Sequence, residues 1–202
     1  KGLVTIGDIS RSYFEVYDSN ILSVAKTRFE NIVDTLKAKV VTGDTTQIVD
    51  SGKVVIAAAN PDLMEQFINK GDIVILGNRY EAQLCAIEMD ARCIVICEGA
   101  AVSKTIIKVA QEKNCAIIVT DYDTYTVARL INQSIPISYY MMHSEGLITF
   151  KNTDFIEDIQ DVMAKKRFRD FPITDENGEF TISFKEAGTY IVSARSYLND
   201  GR

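Results

Sequence analysis

A single histidine, His143, stands among 202 residues, and that scarcity excludes more than any other feature of the composition. A histidine-rich metal site cannot be built, and a Ser–His–Asp or Cys–His nucleophilic system would have to run through His143 alone. The segment Met141-Met142-His143-Ser144-Glu145-Gly146 reads as a loop between a strand and a turn. Basic residues are in the minority, 22 Lys plus Arg against 28 Asp plus Glu, for a net charge of −6. Surfaces for nucleic acid or for an anionic membrane need a basic face, so neither is an expected partner. Any anionic ligand must instead be held by a local cluster of donors. No apolar run approaches the roughly 20 residues of a membrane span, and no signal peptide is visible, which makes a cytoplasmic protein the expectation. Cysteines are few: Cys85, Cys93, Cys97 and Cys115. They lack the CxxC spacing of a zinc site and read as buried, reduced thiols. Cys93 and Cys97 fall at period-two positions of one strand and so point to one face.

What the sequence does contain is apolar material, 47% of the chain, enough for one sizeable core or two small ones. From Lys53 onward strands and helices alternate. Strands are expected at 53–59, 72–76, 92–97 and 115–119, and helices after Asn60-Pro61 and at 80–89, 103–113 and 123–133. Asn60 is placed to cap its helix, with Pro61 at the first helical position. These strands are continuous apolar runs, the mark of a parallel sheet covered on both faces, so the middle of the chain is a small α/β domain. Ahead of it, residues 8–16 read as a short helix. Ser23 to Leu36 reads as one amphipathic helix with Ala25, Phe29, Ile32, Val33 and Leu36 along its apolar stripe.

Pro136 marks the next boundary, and beyond it the pattern becomes β-α-β-β-α. A strand at 147–150 precedes a helix at 154–166 that opens on a capping box, Asp154-x-x-Glu157, and buries Phe155, Ile159, Val162 and Met163. A strand at 171–174, a turn at 176–178, strands at 180–184 and 190–193 and a helix starting at 195 complete the pattern. No internal repeat is obvious by length, although Gly188 to Leu198 echoes the first residues of the chain.

Those first residues, Gly2-Leu3-Val4-Thr5-Ile6-Gly7-Asp8, form a short apolar strand running into a helix that Asp8 can cap. Such a turn offers the Thr5 hydroxyl and free backbone N–H groups to a phosphate, and the Asp8 carboxylate to ribose hydroxyls. A strand needs partners and only one residue precedes this one, so the chain reads as a piece of something larger. The basic run Lys165-Lys166-Arg167-x-Arg169 fits two readings. It complements a helix C-terminus, and it also places bidentate arginine donors beside a phosphate. Phe171 can stack on an adenine or serve as a core residue, and Tyr139 and Tyr140 face the same choice.

The opening motif resembles the adenosine-phosphate motif of CBS domains, the modules named after cystathionine β-synthase. Ser134 to Met141, Leu147 to Phe150, Asp154 to Asp158, Met163-x-x-x-Arg167 and Phe171 to Gly178 together resemble a second CBS domain. The middle block resembles a DRTGG domain through Gly71-Asp72, Gly77-Asn78-Arg79, Cys93 to Gly99 and Asp123 to Leu130. A DRTGG domain set between two CBS domains is similar to the regulatory region of the CBS-containing family II inorganic pyrophosphatases. Where the DRTGG domain's naming motif would fall, this chain has Asn78-Arg79-Tyr80-Glu81-Ala82, so only the arginine is kept.

The resemblance implies an α/β chain: a central DRTGG-type parallel α/β domain (39–134) flanked by a truncated CBS domain with its linker helix (1–38) and a second CBS domain (135–202). It implies an adenine nucleotide as regulatory ligand, AMP, ADP, ATP or a diadenosine polyphosphate. Thr5 and Asp8 would bind it, with Arg167, Arg169 and Ser193 on phosphate and Phe171 at the base. Ser193 and Ser196 take the hydroxyl and ribose-carboxylate positions in the second half, which therefore lacks the acid. The family's manganese ligands are of the Asp-His-His type. One histidine cannot supply them, so catalysis would belong to covalently attached domains and this chain is not expected to hydrolyse pyrophosphate. A homodimer is expected. Two other readings stay open: the same module serving a transcription regulator or an acyltransferase, and a purely structural dimerisation block.

Overall fold

A computed structural model describes residues 2–4, 6–14, 18–143, 147–151, 153–166 and 171–175. It falls into two compact units, Val4–Met141 and the pair of segments Lys1–Leu3 and Met142–Arg202. The opening strand, β1 (Gly2–Leu3), belongs to the second of these and is shorter than the sequence implies. Its partner comes from far along the chain. Gly2 pairs antiparallel with His143 and Leu3 with Met142, so His143 lies on a paired strand and not in a loop. Helix α1 (Ile6–Phe14) begins earlier than expected, taking in Ile6, and Asp8 sits inside its first turn rather than capping it from outside. A carboxylate there still complements the positive end of the helix.

The expected single helix over 23–36 is two, α2 (Ile21–Val24) and α3 (Phe29–Thr35). Between them Lys26 takes a left-handed backbone (φ 50°), and Arg28 makes an isolated bridge to Ile48. The stripe itself faces inward as its spacing requires: Phe29, Ile32 and Leu36 are all at or below 1% exposure. Periodicity survives a break that preserves the inward face, which is why the pattern alone reads as continuous.

Five strands form the sheet of the larger unit: β2 (Lys39–Thr42), β3 (Val54–Ile56), β4 (Ile73–Leu76), β5 (Cys93–Ile96) and β6 (Ala116–Val119). Their spatial order is β2-β6-β5-β4-β3. β3 to β6 are parallel, as their apolar runs require, and β2 closes one edge antiparallel to β6. The sequence reading missed β2, because Val40 and Val41 are exposed and the strand carries no alternation.

Residues alternate along the parallel strands between two cores. Ile73, Ile75, Cys93, Val95 and Ile118 pack with α2, α3 and the segment 127–135 on one face. Val74, Leu76, Ile94, Ile96 and Ile117 pack on the other with α4 (Pro61–Met64), α5 (Tyr80–Glu88) and α6 (Lys104–Glu112). Each fully buried Ile or Leu contributes about 1.5–3 kcal/mol. Helix starts follow their caps. Asn60 accepts from Leu63 N–H with Pro61 at N1, Ser103 accepts from Ile106 N–H, and Asp123 accepts from Thr126 N–H to open α7 (Thr124–Leu130). A 3-10 turn, Ile131–Ser134, and a short α8 (Ile137–Tyr140) complete this unit.

In the smaller unit, strand β7 (Met142–His143) pairs with β1, and β8 (Phe150–Lys151) pairs parallel with β9 (Ile173–Thr174). The strand expected at 147–150 thus begins only at Phe150. Helix α9 (Ile156–Lys166) starts two residues later than the capping box proposes. Asp154 turns its carboxylate back to accept from Lys151 N–H at 2.7 Å, closing the preceding turn instead of capping the helix. Phe155 is 75% exposed, a correction to its expected burial, and Ile159, Val162 and Met163 are half-buried. The turn at 176–178, the strands at 180–184 and 190–193 and the helix from 195 lie outside the described residues.

Candidate nucleotide site

Of the six residues expected to bind nucleotide, Asp8 and Phe171 are described, and Thr5, Arg167, Arg169 and Ser193 lie outside the described residues. Asp8 is the third residue of α1, half-buried, in the Val4–Met141 unit. Phe171 belongs to the other unit, two residues before β9. Its ring meets that of Phe150 edge-to-face, with centroids 5.1 Å apart and planes at 83°. Phe150 is 7% exposed and Phe171 half-buried, so Phe171 packs one edge on its own core and keeps part of its surface accessible. Tyr139 and Tyr140 pack on each other in the same way, centroids 5.2 Å apart, which accounts for both rings without a ligand.

Arg79, the one residue kept from the naming motif, holds backbone. Its Nη2 donates to Ala59 O at 2.7 Å and Ala57 O at 3.5 Å, tying the loop after β4 to the loop after β3. Gln83, buried at 3% exposure, donates to Gly77 O and fixes the same turn from within. Asp72 does equivalent work at the opposite edge of the sheet. It is 1% exposed and accepts from Lys53 N–H at 2.9 Å and Asn69 N–H at 2.8 Å. Both of these motif landmarks are therefore structural in this chain.

The four thiols are buried and free. Cys93 and Cys97 share one core face, as their spacing predicts, and Cys85 and Cys115 lie in the other. Burial pushes the Cys115 thiol up to about 12 and raises those of Cys85, Cys93 and Cys97. Thiols held protonated are poor nucleophiles. Among the described residues no group of His, Cys, Asp and Glu is placed to hold a metal ion, and no helix is long and apolar enough to cross a membrane.

One feature at the carboxyl edge of the sheet escaped the sequence reading. A slot of about 360 Å³ opens between β2 and α6, walled by Val41, Ile107 and Val119 and rimmed by Lys37, Lys39 and Asp121. Its residues come from three distant segments, so no local motif signals it.

Comparison with known proteins places these features. Residues 31–134 match the family described as the DRTGG domain. A cobalt-dependent inorganic pyrophosphatase of Clostridium perfringens is 35% identical over 178 residues, 88% of this chain and 32% of that protein. A probable manganese-dependent inorganic pyrophosphatase of Thermotoga maritima is 30% identical over 177 residues, again 88% of this chain and 32% of the relative. The chain thus spans about a third of the length of the curated relatives it matches. The crystal structure of the CBS and DRTGG domains from the regulatory region of the C. perfringens pyrophosphatase, complexed with the activator diadenosine tetraphosphate, superimposes with a TM-score of 0.74 at 34% identity. That match covers 88% of this chain and 76% of the solved one.

Proposed function

Because this chain belongs to the DRTGG-domain family and is homologous to inorganic pyrophosphatases, we propose that it is an adenine-nucleotide-binding regulatory module controlling the pyrophosphatase catalytic region of a longer polypeptide. The observation that carries this reading is the likeness to the C. perfringens regulatory region, which was solved with an adenine dinucleotide bound. Diadenosine tetraphosphate is accordingly the first ligand to test, with AMP, ADP and ATP as its shorter relatives.

In this proposal residues 1–38 supply part of one CBS domain, 39–134 the DRTGG domain and 135–202 a second CBS domain. Asp8 accepts from ribose hydroxyls and Thr5 meets a phosphate. Arg167 and Arg169 pair with phosphate oxygens, Ser193 adds a hydroxyl, and the accessible part of Phe171 stacks on adenine. The nucleotide binds two arrangements of the module with different affinity, and that difference is the whole of the regulatory free energy. The attached catalytic region uses a divalent transition metal, manganese or cobalt being the metals named for the relatives. A cytoplasmic homodimer is part of the same reading, with no nucleic-acid or membrane partner.

Calorimetric titration of diadenosine tetraphosphate and of AMP into the 202-residue chain tests it. Binding that weakens by about tenfold or more in Asp8→Ala and again in Arg167→Ala is the expected outcome. Absence of heat at millimolar nucleotide, or affinity unchanged in the double variant, would overturn the proposal.

A further inference from the structure

Helix α1 carries Asp8, yet its described residues have little hold on the body of their own unit. Ile6 and Ile9 are 83% and 45% exposed, and none of the described residues of α1 enters either core of the sheet. The helix packs instead against α8, the four-residue helix at the other end of the unit. A helix of one turn gains little from its own hydrogen bonds, and α8 has no buried residue. Its place is set by the segment before it and by one ring. Ile131 and Ile135 are 1% and 7% exposed in the core that contains α3, and Tyr140 packs on that same core. The largest cleft of the unit, about 620 Å³ around Arg92, takes no part in this seating, since no described residue of α1, of the 3-10 turn or of α8 lines it.

A polar link fastens the segment. Asn31, in the first turn of α3, donates from Nδ2 to Ser134 O at 3.1 Å, a bond between residues 103 apart in the chain. Ser134 is 2% exposed, and its hydroxyl donates to Ile131 O, closing the turn that presents this carbonyl. Helix α3 is in turn locked to the sheet at both ends. Thr120, just past β6, donates its hydroxyl to Leu36 O at 2.6 Å, and Phe29 N–H donates to Gln47 O at 3.0 Å. A chain of contacts therefore runs from the sheet through α3, Asn31 and Ser134 to α8, and from α8 to the helix that bears Asp8.

We propose that Asn31 is a positioning residue for the nucleotide, acting through the backbone of Ser134. By fastening the 131–141 segment to α3 it seats α8, and α8 holds α1 where Asp8 meets the ribose. The DRTGG sheet is then the base on which the nucleotide-binding helix stands, and bound nucleotide stiffens that base in return. Without the bond, the segment must be ordered at the moment of binding, and that ordering is subtracted from affinity. The inference rests on the nucleotide reading of Asp8.

Calorimetric titration of diadenosine tetraphosphate into the 202-residue chain tests it. Asn31→Ala removes the amide, and Asn31→Asp keeps its shape while losing the Nδ2–H. Each should weaken binding about five- to tenfold, the equivalent of one hydrogen bond. Ile94→Ala acts in the core on the opposite face of the sheet and is the more destabilising change. It should leave affinity within about twofold, which separates seating from plain loss of stability. In an Asp8→Ala background, Asn31→Ala should cost no more than about twofold, because the group it positions is gone. Amide exchange across 131–141 should slow on binding in the wild type and much less in Asn31→Ala.

Full affinity in both Asn31 variants, with Asp8→Ala still weakening binding, would overturn the inference and leave the nucleotide reading standing. Equal losses in Asn31→Ala and Ile94→Ala, or additive losses with Asp8→Ala, would also overturn it, since Asn31 would then serve stability alone. Absence of any binding would overturn both.

Discussion

Strands β4 and β5 of the larger unit keep all eight side chains at or below 2% exposure, whereas α9 of the smaller unit, an eleven-residue helix, has no buried residue. Both carry apolar residues at the spacing their element needs. The difference lies in what covers them. β4 and β5 have a strand on each side and helices on both faces, so alternate side chains feed two separate cores. In α9 the stripe of Ile159, Val162 and Met163 stays half-buried. A sequence pattern thus fixes which face is apolar, and the number of packed neighbours fixes how much free energy that face returns.

Ile94 is 0% exposed in the helix-covered core, and Ile94→Ala is expected to cost about 3 kcal/mol through lost transfer energy and the cavity left behind. Urea unfolding measures it, and a loss below about 1 kcal/mol would mean that this core relaxes freely.

Backbone fit in the same unit gives the next effect. Gly52 sits at φ +85°, and a Cβ there would come within 2.1 Å of Gly71 O, so Gly52→Ala should cost about 2 kcal/mol or more. The same urea series reads it, and a stability equal to the wild type would show that the loop leading into β3 can move.

A smaller contribution comes from the cap of α7. The Thr126 backbone N–H, and then its hydroxyl, hold the Asp123 carboxyl below its usual value. A depressed carboxyl pKa contributes stability that is present above the unfolded value and lost as pH falls through the folded one. Asp123→Asn keeps an acceptor and cannot titrate, so its unfolding midpoint should fall less steeply on acidification than that of the wild type. Parallel pH profiles would remove this assignment.

The smallest expected effect is in the smaller unit. Phe155→Ala removes a ring that is 75% exposed and should change stability by no more than about 0.5 kcal/mol. A loss approaching that of Ile94→Ala would erase the contrast between the two regions.

Particular residues show how far the sequence could be read. The runs Ile73–Leu76 and Cys93–Ile96 are apolar at every position, which only a strand covered on both faces requires, and they are parallel and buried. Asn60-Pro61, Ser103 and Asp123 carry their caps locally and start helices where expected. Asp154 looks the same in sequence and closes the preceding turn instead, because Lys151 N–H competes for its carboxylate. The nucleotide contacts expected at Thr5, Asp8, Arg167, Arg169, Phe171 and Ser193 rest on motifs, and of these Asp8 and Phe171 are among the described residues. The cleft around Arg92 was not legible at all, since its residues lie on separate segments and none forms a pattern with its sequence neighbours.

The sequence by itself determined the alternating α/β block, its buried parallel strands, its buried thiols and the exclusion of a histidine-rich metal site, because each rests on composition or on contacts within a few residues. Tertiary structure decided the rest. The antiparallel edge strand Lys39–Thr42 exists because Val119 and Ile118 offer it a ladder, and the opening Gly2–Leu3 is a strand because Met142 and His143 pair with it. Hydrogen bonds between residues so far apart leave no periodic trace in either partner, and only the folded chain brings them together.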